Sequence, residues 1–119
     1  MIPSKRFKTK KVGDVTAVCF CESRILDALE IEELGGDLYR LLEGESSAKL
    51  LLDFSAVQFL SSAMLGKLIS LNGKVKARGG LLKLCGIQPN ILEVFRICCL
   101  DRVFDIKADE LDALATRSW

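Results

Sequence analysis

Residues 50–66 read LLLDFSAVQFLSSAMLG, and this stretch decides the fold. Lys49–Phe54 is a short apolar run closed by an acid and an aromatic residue, which is typical of a central strand buried on both faces. From Ser61 to Lys76 the apolar residues recur at helical spacing, so this segment is predicted to be a helix. Gly79-Gly80 is a typical helix end. The stretch therefore predicts a buried strand, a short connector and a helix that begins at two adjacent serines.

Strands and helices alternate on both sides of this stretch. We predict one domain over residues 1–119, in which residues 1–12 form a basic N-terminal edge strand or arm. The alternation predicts an α/β fold with a central, mostly parallel sheet of four to five strands and about four helices. The remaining predicted elements are strands at Val15–Cys21, Leu81–Ile87 and Val103–Ile106, and helices at Asp27–Leu42, from Pro89 onward and at Asp109–Thr116.

The composition limits the partners that this chain could have. Half of its 119 residues are hydrophobic, which is enough for a core, and 17 basic residues nearly balance 16 acidic ones. A net charge of +1 argues against DNA or RNA as the main partner. We find no apolar run long enough for a membrane span and no signal-peptide pattern at the start. The expected location is therefore the cytoplasm, without a membrane partner.

The common catalytic arrangements lack their residues here. Without histidine there is no Ser-His or Cys-His pair and no mixed zinc site, and no phosphate-cradling glycine loop occurs. We therefore predict that the protein is not an enzyme and holds no cofactor or metal. A lysine- or acid-based active site stays open as an alternative.

Five cysteines are present, an odd number. We interpret them as small buried hydrophobes in a reducing compartment. Cys98 and Cys99 would then face the core together with apolar residues of the helix that Pro89 opens. A redox role for the Cys98-Cys99 pair is the alternative.

Ser61 and Ser62 stand at the predicted helix start. The simplest interpretation makes Ser61 the N-cap, whose hydroxyl accepts a hydrogen bond from an unpaired backbone N–H. This interpretation is structural and needs no further function.

The same stretch resembles the STAS domain of anti-sigma factor antagonists. In that family a buried strand ends in an acid-hydrophobe pair, and a connector reaches Phe-hydrophobe-Asp-Ser-Ser/Thr-Gly-Leu-Gly. The residues that fit this pattern are Asp53, Phe54, Val57, Phe59, Leu60, Ser62, Leu65 and Gly66. Three positions depart from it: Ser61 replaces the acid, and Ala63-Met64 replaces Ser/Thr-Gly. The likeness extends over nearly the whole chain and implies a STAS-type fold.

The resemblance also implies a function. The protein would bind an anti-sigma factor that is itself a serine protein kinase, and so control sigma-factor release and transcription. Phosphorylation of Ser62, or alternatively of Ser61, would end binding, and a phosphatase would restore it. The expected partner-binding residues are Ser61, Ser62, Ala63, Met64, Lys67 and Ser70. A STAS-like scaffold or regulatory subunit without phospho-switching is the alternative.

Overall fold

The computed structural model describes residues 6–43 and 48–115. Residues 1–5 of the expected basic arm, and Thr116 at the expected end of the last helix, lie outside the described residues. The strands are β1 (Phe7–Val12), β2 (Val15–Phe20), β3 (Arg24–Ile25), β4 (Lys49–Asp53), β5 (Phe59–Leu60), β6 (Leu81–Cys85) and β7 (Asp105–Lys107). The helices are α1 (Ala28–Arg40), α2 (Ser62–Ala77), α3 (Pro89–Ile97) and α4 (Glu110–Ala115), and Leu100–Arg102 forms a short 3-10 turn.

Within the described residues, the main sheet has five strands in the order β1-β2-β4-β6-β7. β1 and β2 are an antiparallel hairpin whose turn uses Gly13 at a φ of +64°. All other neighbours in this sheet run parallel, joined by crossovers that carry the helices. The prediction of an α/β domain with a mostly parallel sheet and about four helices is confirmed.

β4 lies at the centre of the sheet, between β2 and β6. Leu50, Leu51 and Leu52 are all buried, so both faces of this strand are covered, as the continuous apolar run predicts. On one face, Leu50 and Leu52 pack in a core with α1, α2 and α3. On the other face, Leu51 and Cys85 pack beneath Ala113 of α4.

A second, two-stranded sheet was not predicted. β3 pairs in parallel with β5 and aligns Arg24 with Phe59 and Ile25 with Leu60. Each strand is only two residues long, so neither shows the alternation that identifies a strand in a sequence. This β3–β5 ribbon joins the segment before α1 to the segment before α2.

The expectation that Cys98 and Cys99 face the core is wrong. Both side chains are exposed, because α3 ends at Ile97 and Cys99 takes a left-handed φ of 59°. Cys21 is also exposed and Cys19 is half-buried, so Cys85 alone is a fully buried cysteine. The last strand also begins later than predicted, at Asp105, because the 3-10 turn and a further turn occupy the preceding residues.

Candidate functional site

The connector between β4 and α2 is held by the segment before α1. The N–H groups of Gln58 and Phe59 both donate to the carbonyl oxygen of Ser23, at 2.8 and 3.0 Å. The N–H of Ser61 donates to the carbonyl oxygen of Ile25 at 3.0 Å. The backbone on which the two serines lie is therefore fixed by hydrogen bonds that cross about 35 residues of sequence.

The start of α3 supports the same connector from the other side. The Gln88 side-chain amide donates to the carbonyl oxygen of Ser55 at 2.9 Å, and the Asn90 amide donates to that of Gln58 at 3.1 Å. Asp53, at the end of β4, accepts hydrogen bonds from both the N–H and the hydroxyl of Ser55. A site on a connector braced in this way is preorganised for binding.

Ser61 caps α2. Its backbone is extended, with φ −84° and ψ 162°, and its hydroxyl oxygen accepts a hydrogen bond from Met64 N–H at 3.4 Å. This confirms Ser61 as the N-cap that the sequence predicts.

Ser62 is the first residue of α2 and is exposed, as is Ala63. The first N–H groups of a helix lack the usual carbonyl partner four residues earlier. The Met64 N–H is shared between the hydroxyl oxygen of Ser61, at 3.4 Å, and the carbonyl oxygen of Ser61, at 3.1 Å. The first turn of α2 contains no acidic residue. Negative charge is favoured at such a position by the helix dipole and the free N–H groups.

The other expected partner-binding residues lie in different environments. The Met64 side chain is fully buried in the core. Lys67 extends toward α1, where its Nζ atom pairs with Glu32 at 2.8 Å, and this hydrogen bond raises the pKa of the lysine. Ser70 is exposed, and its hydroxyl oxygen accepts a hydrogen bond from the Tyr39 hydroxyl at 3.0 Å. The structure therefore places Ser62, Ala63 and Ser70 at the surface.

Sequence reasoning missed a groove beside the two serines. The groove is shallow and mainly apolar, and its lining residues are Leu26, Phe59, Leu60, Leu65, Asn90, Ile91 and Val94. These come from three segments: the residue that follows β3, the stretch from β5 into α2, and α3. The sequence carries no local signal for the groove, because it forms where three distant segments meet, and two of these are paired by the unpredicted ribbon.

The cysteine thiols lie in different environments, and two of them have a raised pKa. No group of three or more metal-ligating side chains occurs among the residues that the structure describes. Burial raises the pKa of the Cys85 thiol to about 12, which suppresses the thiolate that reacts as a nucleophile. Burial, with Asp53 nearby, also raises the pKa of Cys19. Within residues 6–43 and 48–115, no helix has the length and apolar character to cross a bilayer.

Comparisons with known proteins agree with this fold. The model of the STAS domain family matches residues 7–113. An anti-sigma-factor antagonist (STAS) domain protein from Planctomyces limnophilus superposes with a TM-score of 0.80 at 23% identity, covering 91% of this chain and 93% of that chain. An anti-sigma factor antagonist from Mycobacterium paratuberculosis gives 0.78 at 23% identity, covering 91% and 89%. The phosphorylated form of the Bacillus cell fate determinant SpoIIAA gives 0.69 at 17% identity, covering 91% and 96%.

Proposed function

The chain belongs to the STAS domain family, and on that premise we propose that it is an anti-sigma factor antagonist. It acts without catalysis: it binds an anti-sigma factor in the cytoplasm and thereby frees a sigma factor for transcription. The structural neighbours support this role, because proteins described as anti-sigma factor antagonists match over most of their length. The arrangement of the two serines supports the way in which the binding is controlled.

The control is phosphorylation of Ser62 by the anti-sigma factor, acting as a serine kinase. One observation carries this assignment: Ser62 is exposed at the helix start, whereas the Ser61 hydroxyl is engaged as the cap. A kinase needs access to the hydroxyl, and Ser61 could offer its own only by giving up the cap. The phosphorylated SpoIIAA structure supports a phosphate switch in this fold.

A phosphate at Ser62 is expected to leave the fold intact. It adds about −1.5 to −2 charge at a helix N-terminus, where the dipole and the N–H groups of the first turn favour an anion. No acid in the first turn opposes it. The added charge therefore acts on whatever protein contacts the turn, through repulsion and desolvation, and a phosphatase reverses the effect.

The docking surface consists of the exposed first turn of α2 and the α2 residues beyond it. Ser62 and Ala63 lie at its centre and Ser70 further along the helix, with Lys67 at the edge that faces α1. Ser61 and Met64 contribute from beneath, as cap and core residue, by fixing the direction of the turn.

The test is a phosphorylation assay with the purified full chain, ATP and the anti-sigma factor kinases of its own host. We expect one phosphoryl group, which peptide mapping assigns to Ser62. Ser62→Ala should abolish the mass gain, whereas the control Ser70→Ala, an exposed serine on the same helix, should keep it. A mass gain that survives in Ser62→Ala contradicts the assignment.

One observation favours a second candidate, a STAS-like scaffold that binds its partner without switching. Ser61 stands where the antagonist family has an acid, and both serines can be read as parts of a helix start. In that case no host kinase modifies the chain, and Ser62→Asp leaves partner affinity unchanged.

A further inference from the structure

The groove beside Ser62 is open at its rim and closed at its floor. Leu65 and Ile91 are buried at its base, with exposed fractions of 8% and 5%. Leu26, Phe59 and Val94 stand around it with exposed fractions of 42%, 46% and 42%. Several large apolar side chains that remain this exposed around one concave surface are typical of a contact site for another molecule.

The groove is smaller than a usual small-molecule site. Its volume is about 170 Å³, whereas small-molecule sites usually enclose about 300–1,000 Å³. One large apolar side chain from a partner is a better match than a cofactor. Asn90 lies at the wall, but its side-chain amide already donates a hydrogen bond to the connector backbone. A ligand in the groove would therefore make mainly apolar contacts.

Arg24 supplies a charge at the rim. Its guanidinium group stacks over the Phe59 ring, 5.0 Å from the ring centroid. Arg24 is exposed and forms no ion pair with any carboxylate among the described residues. The cation is therefore held against the groove wall by a ring contact, and its hydrogen-bond donors stay available to a carboxylate.

We propose that this groove binds a segment of the partner protein in which a large apolar side chain stands next to an aspartate or glutamate. The apolar side chain enters between Phe59, Leu65 and Val94, and the carboxylate pairs with Arg24. This inference rests on the proposed function, because it places part of the anti-sigma factor beside Ser62. It also deepens that function, since a phosphate on Ser62 would repel the same carboxylate and weaken a contact beyond the helix itself.

The test is selection from a library of short random peptides displayed on phage, against the purified, unphosphorylated full chain. We expect enrichment of peptides that combine a large apolar residue with Asp or Glu. The substitution Val94→Arg should lower the affinity of the protein for a synthetic copy of such a peptide by about tenfold or more. The matched control is Ile97→Arg on the same helix, an exposed apolar residue outside the groove, and it should leave the affinity unchanged. Circular dichroism melting verifies that each variant is folded.

Charge reversal gives the sharper result. When the same library is screened on the Arg24→Glu protein, the bound peptides should be enriched in Lys or Arg at the position where peptides bound to the wild type have Asp or Glu. Peptides bound to the control protein, Arg102→Glu, should keep the acidic preference. An acidic preference that persists with the Arg24→Glu protein overturns the proposal. Equal peptide affinity for the Val94→Arg protein and the wild type also overturns it. Failure to enrich any peptide over the Val94→Arg background also overturns it. So does a wild-type dimer in sedimentation that Val94→Arg converts to monomer, because a second copy would then fill the groove.

Failure of the groove proposal and failure of the proposed switch give different results. If phosphorylation of Ser62 releases an anti-sigma factor and Val94→Arg leaves that complex intact, the groove proposal is wrong and the switch stands. If peptides bind as expected and no kinase modifies Ser62, the proposed switch is wrong. The groove then still binds an acidic, apolar segment, but of a protein that does not phosphorylate Ser62.

Discussion

The hydroxyl oxygen of Ser61 accepts a hydrogen bond from Met64 N–H at 3.4 Å, across the first turn of α2. The next residue, Ser62, is exposed at the same turn. Two adjacent serines thus differ in environment, one serving the helix and one facing solvent. Substitutions at the two positions should therefore separate stability from regulation.

Ser61→Ala should lower the free energy of unfolding by about 0.5–1 kcal/mol, the lower part of the range for loss of an N-cap, because this bond is long. Ser61→Asp should preserve most of the stability, since aspartate caps as well as serine does. Ser62→Ala, the control, should stay within about 0.5 kcal/mol of wild type. Urea denaturation measures all three. A larger loss from Ser62→Ala than from Ser61→Ala would reverse our assignment of the cap.

Gly86→Ala should destabilise the protein by about 1–3 kcal/mol, because its backbone is left-handed and crowded. Gly86 has a φ of +68°, and a Cβ atom there would lie 2.8 Å from Asp53 Oδ1 and closer still to Ser55 Oγ. These two residues brace the connector that leads to the serines. Gly73→Ala is the matched control, since Gly73 is within α2 and a Cβ atom there meets open space. The free energy of unfolding of the control should rise by about 0.5–1 kcal/mol. Equal effects of the two substitutions in thermal melts would contradict the strain assigned to Gly86.

Cys85 should resist thiol reagents in the folded protein, while Cys21, Cys98 and Cys99 react quickly and Cys19 more slowly. The last four thiols are exposed or half-buried, whereas the Cys85 side chain is fully buried with a pKa of about 12. Titration with a chromogenic disulfide, with and without denaturant, counts both classes. Rapid labelling of Cys85 without denaturant would show that α4 does not stay on the second face of the sheet.

The same pKa predicts a loss of stability at high pH. An unfolded cysteine ionises near pH 9 and the folded Cys85 near 12, so over that interval the folded state retains a proton that the unfolded state has released. The contribution of Cys85 is complete below pH 9 and declines as pH rises toward 12. Cys85→Ala should have a shallower decline in urea midpoint across this range than wild type.

The sequence alone predicts the central strand and the helix that follows it, because both signals are local. The apolar run at 50–52 identifies β4, and the serine before an apolar periodicity identifies the start of α2. Ser61 as cap follows from the same local rule. The STAS family was also identified from this stretch, and the family model confirms it.

What escaped prediction depends on contacts between distant segments. The two-residue strands β3 and β5 are too short to show a sequence pattern. They form only when two distant segments pair, and this pairing places Arg24 beside Phe59. Cys98 and Cys99 continue the helical spacing of α3, yet the left-handed backbone at Cys99 ends the helix before them. The groove depends on the first of these, since it lies where β5, α2 and α3 meet.

The most direct test of the switch is the affinity of the full chain for its host's anti-sigma factor before and after phosphorylation at Ser62, measured by calorimetry. We predict that the unphosphorylated chain binds and that the phosphate weakens binding by about tenfold or more. Ser62→Asp should weaken binding in the same direction, while the circular dichroism spectrum is unchanged. Equal affinity of the phosphorylated and unphosphorylated forms would contradict the account.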